Sequence, residues 1–439
     1  MTRTDSDSKK IGLWTSTALV VGNMIGSGIF LLPATLAVYG AISFIGWICS
    51  SIGAVALALV FSHLSKMFPN TSGGPYVYSR EGLGDFGGFL VAWGYWLSIW
   101  STNAAIAVTF VSYLTVFIPA LSDNSFLSVS AGLSAIWFLT WINSRGIKAA
   151  GRLQVITTVM KLTPLVLVAV VGVFYVDGDN LVPFNASGES TFNAITTTGA
   201  LTLFAFLGLE SATIPSGNIK DPEKTIPRAT IIGTALTILV YILGSIAVMG
   251  MLPPDQLERS SAPFADAAAL IWGDQARSWV ALGAIVSTFG ALNGWILVQG
   301  QIPLAAARDR LFPHVFGLEN KKGVPAVGIV ISSVLISGLM MMNFTKGLTD
   351  TFQFMLLLST AAVLVPYLFS AASYGLILLQ NKFWKKTLIT KLILALIAFF
   401  YSMWALMGSG QESVYWGFIG LMAGIPFYVW MKRAQQQDQ

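Results

Sequence analysis

Twelve apolar stretches, each long enough to cross a lipid bilayer, follow one another along this sequence. A helix needs about 20 apolar residues to cross the hydrocarbon core. Of the 439 residues, 55% are hydrophobic and 10% are charged, which is more apolar surface than a soluble protein of this length needs. The sequence therefore predicts an all-α integral membrane protein. Its twelve transmembrane helices are expected at roughly 11–38, 41–65, 87–118, 125–144, 152–176, 194–217, 228–251, 278–305, 324–342, 352–379, 387–408 and 413–431.

The loops between these stretches carry a one-sided distribution of positive charge. If the N-terminus lies in the cytoplasm, twenty-one of the 25 Lys and Arg residues fall on the cytoplasmic side and three on the other. Because cytoplasmic loops of membrane proteins are enriched in Lys and Arg, we expect a multi-pass protein of the inner (cytoplasmic) membrane with both termini in the cytoplasm. The net charge of +5 thus reflects orientation and is no evidence for nucleic-acid binding.

The first apolar stretch contains a glycine-rich interruption, Gly26-Ser27-Gly28. Each Gly disfavours a helix by about 1 kcal/mol relative to Ala, and freed backbone in a membrane is tolerated only where protein buries it or it lines a cavity. A helix that restarts here would aim unpaired N–H groups, and the positive end of its dipole, at an anion such as a carboxylate. The alternative is that the small residues only let a neighbouring helix pack closely.

A second interruption lies in the sixth stretch, where Gly208 and Glu210 precede further polar residues. Interruptions at positions one and six predict an inverted repeat of five plus five helices, with the binding site between the breaks. The repeats would span about 11–176 and 194–379, followed by two extra helices at about 387–431, in a single transmembrane domain 1–439. Carbonyl groups freed near Phe204 and Leu207 would accept from an ammonium group, so the two breaks together suit an α-amino acid.

Several motifs resemble the amino acid–polyamine–organocation superfamily, and in particular bacterial basic amino acid antiporters of the arginine–agmatine and putrescine–ornithine type. The resemblance extends from about Lys10 to Trp430 and implies the LeuT-type fold, with alternating access to the two sides of the membrane. The residues that carry it are Gly26 to Pro33, Ser72 to Tyr78, Phe206 to Ser211, Asp221 to Pro227 and Val365 to Tyr367.

The same resemblance implies a set of site residues. Ser27 and Gly28 would bind the substrate carboxylate, and Asn103 and Trp295 match positions that hold an arginine side chain. A Trp ring can cover a cation or an aliphatic stem. Phe204 stands where the arginine antiporter has a gating tryptophan, so the arginine assignment stays open. The predicted substrate-binding residues are Ile25, Gly26, Ser27, Gly28, Asn103, Phe204, Ala205, Leu207, Trp295 and Ser359.

Polar and apolar residues recur at helical spacing along the third stretch. Tyr95, Ser98, Thr102 and Ile106, with Asn103 close by, would share one face of a helix. This face either lines the pocket, with Tyr95 and Phe204 as gating residues, or makes ordinary helix contacts.

Glu210 is the one acidic residue expected at membrane depth. An ionisable group there is a functional candidate, because its insertion costs a few kcal/mol. We expect it to carry a proton or sense pH, although a protonated carboxyl group that satisfies freed backbone is the alternative. The sequence suggests that it lies in the break beside the seventh span, without a direct bridge to Lys161.

Lys161 is the one cation expected inside the membrane. The arginine–agmatine antiporter has a small residue there, whereas light chains of heteromeric amino acid transporters have a lysine in the place of a sodium ion. The resemblance therefore implies sodium-independent transport. Whether Lys161 stays charged as a fixed strut or loses its proton during the cycle remains open, and replacing it by Ala should reduce turnover at every pH.

The predicted function is sodium-independent secondary active transport of amino acids by exchange, with proton-coupled symport as the alternative. The substrate should carry both an α-carboxylate and an α-amine, which favours amino acids over polyamines. A channel or a membrane enzyme is disfavoured, because the sequence offers neither a continuous polar pore nor a nucleophile–base pair at membrane depth. No cofactor and no metal site are expected. Protons and a second copy of the chain, as a homodimer, remain open as partners.

Overall fold

The computed structural model describes residues 11–69, 71, 73–145, 163–214, 216, 219–342, 347–380 and 388–437. Helices make up its regular structure within these ranges. In chain order the longer helices are α1 (Leu13–Met24), α2 (Gly28–Ala37), α3 (Ser43–Met67), α4 (Pro75–Leu114), α5 (Ser125–Ser144), α6 (Thr163–Tyr175), α7 (Thr191–Leu203), α8 (Pro222–Met251), α9 (Pro263–Trp272), α10 (Asp274–Arg308), α11 (Ala326–Met342), α12 (Leu348–Gln380), α13 (Leu388–Met407), α14 (Gln411–Met422) and α15 (Ile425–Gln437).

The helices account for most of the predicted membrane spans. Ten helical segments of the described chain are long and apolar enough to cross a membrane, and α6 and α11 are shorter apolar helices at two further predicted stretches. The chain is thus a multi-pass, all-helical membrane protein. A total of twelve spans stays a prediction, because residues 152–162 of the fifth stretch lie outside the described ranges.

Three boundaries differ from the predicted ones for local reasons. The third span begins twelve residues early, at Pro75, because α4 continues through a kink at Gly84, whose φ of 76° favours glycine. The sixth stretch is regular only to Leu203 and then continues as single 3₁₀ turns. The twelfth stretch is divided at Ala423 and Gly424 into α14 and α15.

Close helix packing positions the first break. Helix α8 lies against α1, where a Cβ added at Gly233 would come within 2.7 Å of Val20. Small residues at helix contacts allow such an approach within a membrane, where dispersion forces and hydrogen bonds hold helices together. On the same helix the Tyr241 hydroxyl donates to the carbonyl oxygen of Met24, the last residue of α1, at 2.5 Å.

The segment between α8 and α10 packs against α2. The sequence predicts short helices in 253–277, and the structure has Pro254–Glu258 and α9 there. The ring of Phe264 packs edge-on against Phe30 at 5.7 Å between centroids. The Tyr113 hydroxyl joins the same group, because it donates to the Phe30 carbonyl at 2.9 Å and accepts from the Phe264 N–H at 3.3 Å. This side of the helix pair is therefore closed by protein.

Candidate functional site

The first break separates α1 from α2 by three residues, Ile25 to Ser27. The Gly26 N–H bonds the Met24 carbonyl at 2.9 Å, and the helix restarts at Gly28. The first N–H groups of a helix have no acceptor within it, and those of α2 begin in the middle of the bundle. The glycines also meet close neighbours, since a Cβ at Gly26 would lie 3.0 Å from Ala291 and one at Gly28 3.1 Å from Ala205. The interruption and the close packing therefore occur together.

The second break is longer and irregular. After α7 the chain makes a 3₁₀ turn over Phe204–Phe206, becomes extended at Leu207, and turns at Gly208 with φ of 100°. The Phe204 carbonyl accepts the Leu207 N–H at 3.1 Å, whereas no backbone bond between described residues uses the Leu207 carbonyl. Of the two predicted acceptors for an amine, Leu207 is thus the more available.

A small cavity lies between the two breaks, with room for about one water molecule. Six of the ten predicted substrate-binding residues line it, together with Asn23, Met24 and two residues of α4. All the lining residues are buried, so the cavity lies inside the helix bundle. Its lining consists of Asn23, Met24, Gly26, Ser27, Gly28, Thr102, Ile106, Phe204, Leu207 and Trp295.

Two polar atoms of the cavity lining have no partner among the described residues. They are Oδ1 of Asn23 and Oγ of Ser27, both buried. The amide of Asn23 is otherwise engaged, because its Nδ2 donates to Oγ of Ser211 in the second break at 2.9 Å. Buried polar groups are nearly always hydrogen-bonded. The unpaired Asn23 oxygen and Ser27 hydroxyl beside this cavity are therefore suited to a polar ligand.

Two aromatic rings form the apolar part of the lining. The Trp295 indole N–H donates to the Asn23 carbonyl at 3.1 Å, which holds this ring against the end of α1. The ring of Phe204 meets Phe352 edge-on at 6.1 Å. A Cβ at Gly208 would lie 3.2 Å from Trp295, so the second break runs directly along the indole.

The remaining four predicted binding residues lie next to the cavity and do not line it. Ile25 is buried within the first break, and Ala205 packs against Gly28. The Ser359 hydroxyl pairs with Thr102 at 2.6 Å, which puts it behind the lining. Asn103 donates through Nδ2 to Oε1 of Gln299 at 2.8 Å. The polar face of α4 is therefore divided, with Thr102 and Ile106 at the cavity and Asn103 directed to α10.

Glu210 lies in the second break and is fully buried. Its carboxyl group accepts from the Tyr95 hydroxyl and from the Tyr367 hydroxyl at 2.8 Å. Of the backbone and polar partners expected for this carboxyl group, the structure shows the two tyrosine hydroxyls. Its two donors belong to α4 and α12, whereas the sequence suggested only a position beside the seventh span.

The predicted face of α4 therefore serves two purposes. Tyr95 belongs to the Glu210 cluster, and the Ser98 carbonyl accepts the Ser359 hydroxyl at 3.1 Å. Tyr367, Asn23 and Gln299 were missed as site residues. Tyr367 belongs to the family motif Val365 to Tyr367, but only its hydrogen bond to Glu210 gives it a role in the site. The predicted Lys161 lies outside the described residues.

A charged cluster joins the start of α4 to the end of α10. The Tyr76 hydroxyl donates to Asp309 at 2.6 Å, and Arg80 pairs with Asp309 at 3.0 Å and with Asp85 at 2.9 Å. Lys432 of α15 pairs with Asp85 at 2.7 Å. Each charged side chain of the cluster is about one third exposed, so solvent screens the pairs and each contributes little by itself.

Comparison with known proteins identifies the family to which the chain belongs. The model of the amino acid permease family matches residues 11–429. The cadaverine/lysine antiporter of Escherichia coli (strain K12) is 37% identical over 374 residues, which cover 83% of each chain. The arginine/ornithine antiporter of Pseudomonas aeruginosa is 33% identical over 426 residues, covering 92% of this chain and 87% of that protein. The putrescine transporter PotE of Haemophilus influenzae is 31% identical over 423 residues, covering 96% and 97%. The chain therefore belongs to the amino acid permease family and is a membrane transporter, not an enzyme.

Proposed function

We propose that this protein exchanges amino acids across the cytoplasmic membrane by alternating access. The observation that carries the proposal is the buried cavity between two helix breaks, at which Asn23 Oδ1 and Ser27 Oγ have no partner within the described chain. Apolar and aromatic side chains with a few convergent polar groups are typical of the lining of a small-molecule site. Because the cavity holds about one water molecule, binding an amino acid requires the walls to separate.

The two breaks recognise the two ends of an α-amino acid. The N–H groups at Ser27 and Gly28 and the Ser27 hydroxyl bind the carboxylate, helped by the positive end of the α2 dipole. The Leu207 carbonyl accepts from the α-amine, with Phe204 and Ala205 as its neighbours. Trp295 and the α4 residues Thr102 and Asn103 receive the substrate side chain, and Ser359 supports Thr102.

Alternating access follows from the predicted repeat. In this proposal two halves of five helices, about 11–176 and 194–379, rock against each other around the breaks, and two further helices complete a set of twelve. Both termini lie in the cytoplasm of a bacterial cell and the protein spans the inner membrane, as the charge distribution of the loops favours. Lys161, at the position of a sodium ion in sodium-coupled relatives, makes transport independent of sodium.

Exchange is favoured over proton symport by the names of the relatives, two of which are called antiporters of amino acids or diamines. Glu210 then acts as a gate and pH-sensitive group, with Tyr95 and Tyr367 as its hydrogen-bond donors. The substrate class is a basic amino acid such as lysine, arginine or ornithine. A diamine as the counter-substrate is a second candidate, favoured by the cadaverine and putrescine transport of the relatives.

Reconstitution in liposomes tests this function. Vesicles loaded with lysine, arginine, ornithine, cadaverine or no substrate are given external labelled lysine, arginine or ornithine. Exchange requires saturable uptake that depends on the internal substrate and shows counterflow.

Equal uptake into empty vesicles, driven by an imposed pH gradient, would favour the symport alternative. Uptake that does not saturate would contradict a transporter. Faster exchange against cadaverine than against any amino acid would favour the diamine candidate.

A further inference from the structure

The amide of Gln299 has only one possible orientation. Gln299 is fully buried on α10, and its Nε2 donates to the Ile329 carbonyl and to the Ser333 hydroxyl of α11, each at 3.0 Å. A backbone carbonyl is an acceptor only, so the NH₂ group of Gln299 must face α11. Its Oε1 must then face away from α11, toward Asn103.

This orientation determines which atom of Asn103 is free. An amide oxygen needs a donor, so Asn103 must turn its NH₂ group toward Gln299, at 2.8 Å. The other end of the Asn103 amide, Oδ1, is buried and has no partner among the described residues. Because the Ile329 carbonyl can only accept, it assigns the oxygen and the nitrogen of both amides.

The free oxygen belongs to a residue next to the cavity. Asn103 follows Thr102 and precedes Ile106 by one helical turn, and both of these residues line the cavity. A buried, unpaired acceptor is costly unless a donor arrives. The ligand group that fits it is an ammonium or a guanidinium, which only donates. A carboxylate or a methyl group at the same place would leave the oxygen unsatisfied.

We propose that Gln299 is a positioning residue that gives the transporter its preference for amino acids with a cationic side chain, because it fixes Asn103 as a hydrogen-bond acceptor. The inference rests on the proposed function and deepens it. Gln299 acts through Asn103 and does not itself touch the substrate.

The test compares lysine with norleucine, which lacks only the terminal ammonium group. For each variant in liposomes the kcat/KM of exchange is measured for both amino acids, and their ratio is the readout. Wild type should prefer lysine. Gln299→Met, which makes no hydrogen bond to Asn103, should lower the ratio about tenfold, because the bound state would then hold an unpaired Asn103 NH₂ group. The norleucine value should change less than the lysine value.

Two further variants separate positioning from general damage to the helix contact. Thr140→Val removes the hydroxyl that pairs with Ser333 at 2.6 Å in the same network and should keep the wild-type ratio. Gln299→Met combined with Asn103→Asp should restore the preference for lysine, since a carboxylate presents an acceptor in either orientation and has no NH₂ group to leave unpaired. Gln299→Glu, which keeps an oxygen toward Asn103, should also keep the preference, so the test does not depend on the folding of one variant.

Each result has a defined consequence. A wild-type ratio near one, an unchanged ratio in Gln299→Met, or an equal fall in Thr140→Val would overturn the inference while leaving amino acid exchange intact. Failure of the Asn103→Asp change to restore the ratio would also overturn it. Absence of any exchange by the wild-type protein would instead overturn the proposed function, and this inference with it.

Discussion

The two helix breaks meet at one cavity but are built differently. The first is three residues long and joins two regular helices, α1 and α2. The second continues from α7 through two 3₁₀ turns, with an extended residue at Leu207 and a positive φ at Gly208. Both contain small residues, and broken helices are tolerated in a membrane where protein buries them. Their sequences alone therefore suggest similar roles.

Their hydrogen bonding is where they differ. The first break leaves Asn23 Oδ1 and Ser27 Oγ buried without a partner in the described chain. In the second, the Glu210 carboxyl group accepts from two tyrosine hydroxyls that belong to other helices. An unsatisfied buried group favours the arrival of a ligand, whereas a fully satisfied one stabilises the present arrangement. We infer that the first break binds the substrate through unpaired side-chain groups, whereas in the second break the Glu210 contacts hold the chain in place around the Leu207 carbonyl that accepts the amine.

The largest effect is expected at the turn of the second break. Gly208→Ala should reduce exchange more than tenfold, because a side chain at φ of 100° is strained by about 1–3 kcal/mol. The added Cβ would also lie 3.1 Å from Asn23 and 3.2 Å from Trp295. Initial exchange rates measure the loss of exchange, and thermal unfolding in detergent measures the strain. Gly338→Ala, at a helical position with open space, is the control. Normal exchange by Gly208→Ala would mean that exchange does not depend on the backbone conformation of this turn.

The next effect concerns Glu210. Glu210→Gln keeps the hydrogen bonds of a protonated carboxyl group, so substrate should still bind while the pH dependence of exchange between about pH 5 and 8 becomes flatter. Initial rates across this range, and binding of labelled substrate, measure the two parts separately. Glu258→Gln, at an exposed position between α8 and α9, should keep the wild-type profile. A wild-type profile in Glu210→Gln would make Glu210 a purely structural residue.

A direct comparison of the two breaks uses one serine from each. Ser27→Ala removes a hydroxyl without a partner and should leave the unfolding temperature unchanged while weakening substrate binding about fivefold to tenfold. Ser211→Ala removes the acceptor of the Asn23 amide and should lower the unfolding temperature instead. Binding isotherms and thermal unfolding on both variants measure this. If the two variants behaved alike, the distinction between a substrate-binding serine in the first break and a structural serine in the second would be wrong.

The smallest expected effect is that of sodium. The unpaired oxygen atoms of the first break would also suit a cation, yet the family resemblance implies that Lys161 occupies the sodium position. Replacing external sodium by choline at constant pH should leave initial uptake unchanged. A several-fold loss would mean that the first break binds an ion together with the substrate.

The sequence by itself determined the ten long apolar segments of the described chain and the position of both breaks. Hydropathy over about 20 residues reflects the thickness of a membrane, and Gly26, Gly28 and Gly208 disfavour a helix through their own backbone. These are local properties, which one stretch of chain carries without its neighbours. The prediction that Ser27, Gly28, Phe204 and Leu207 lie near one another needed only the further idea of paired breaks.

The tertiary structure alone decided which side chains meet across helices. Tyr95 and Asn103 stand two turns apart on α4, yet one bonds Glu210 and the other Gln299. Helical spacing predicts a shared face, but the rotation of a helix in its bundle depends on packing against all its neighbours. Tyr367 and Gln299 gain their roles only from partners 157 and 196 residues away. A pairing over such a separation is fixed by the assembled bundle, because no local preference in the chain encodes it.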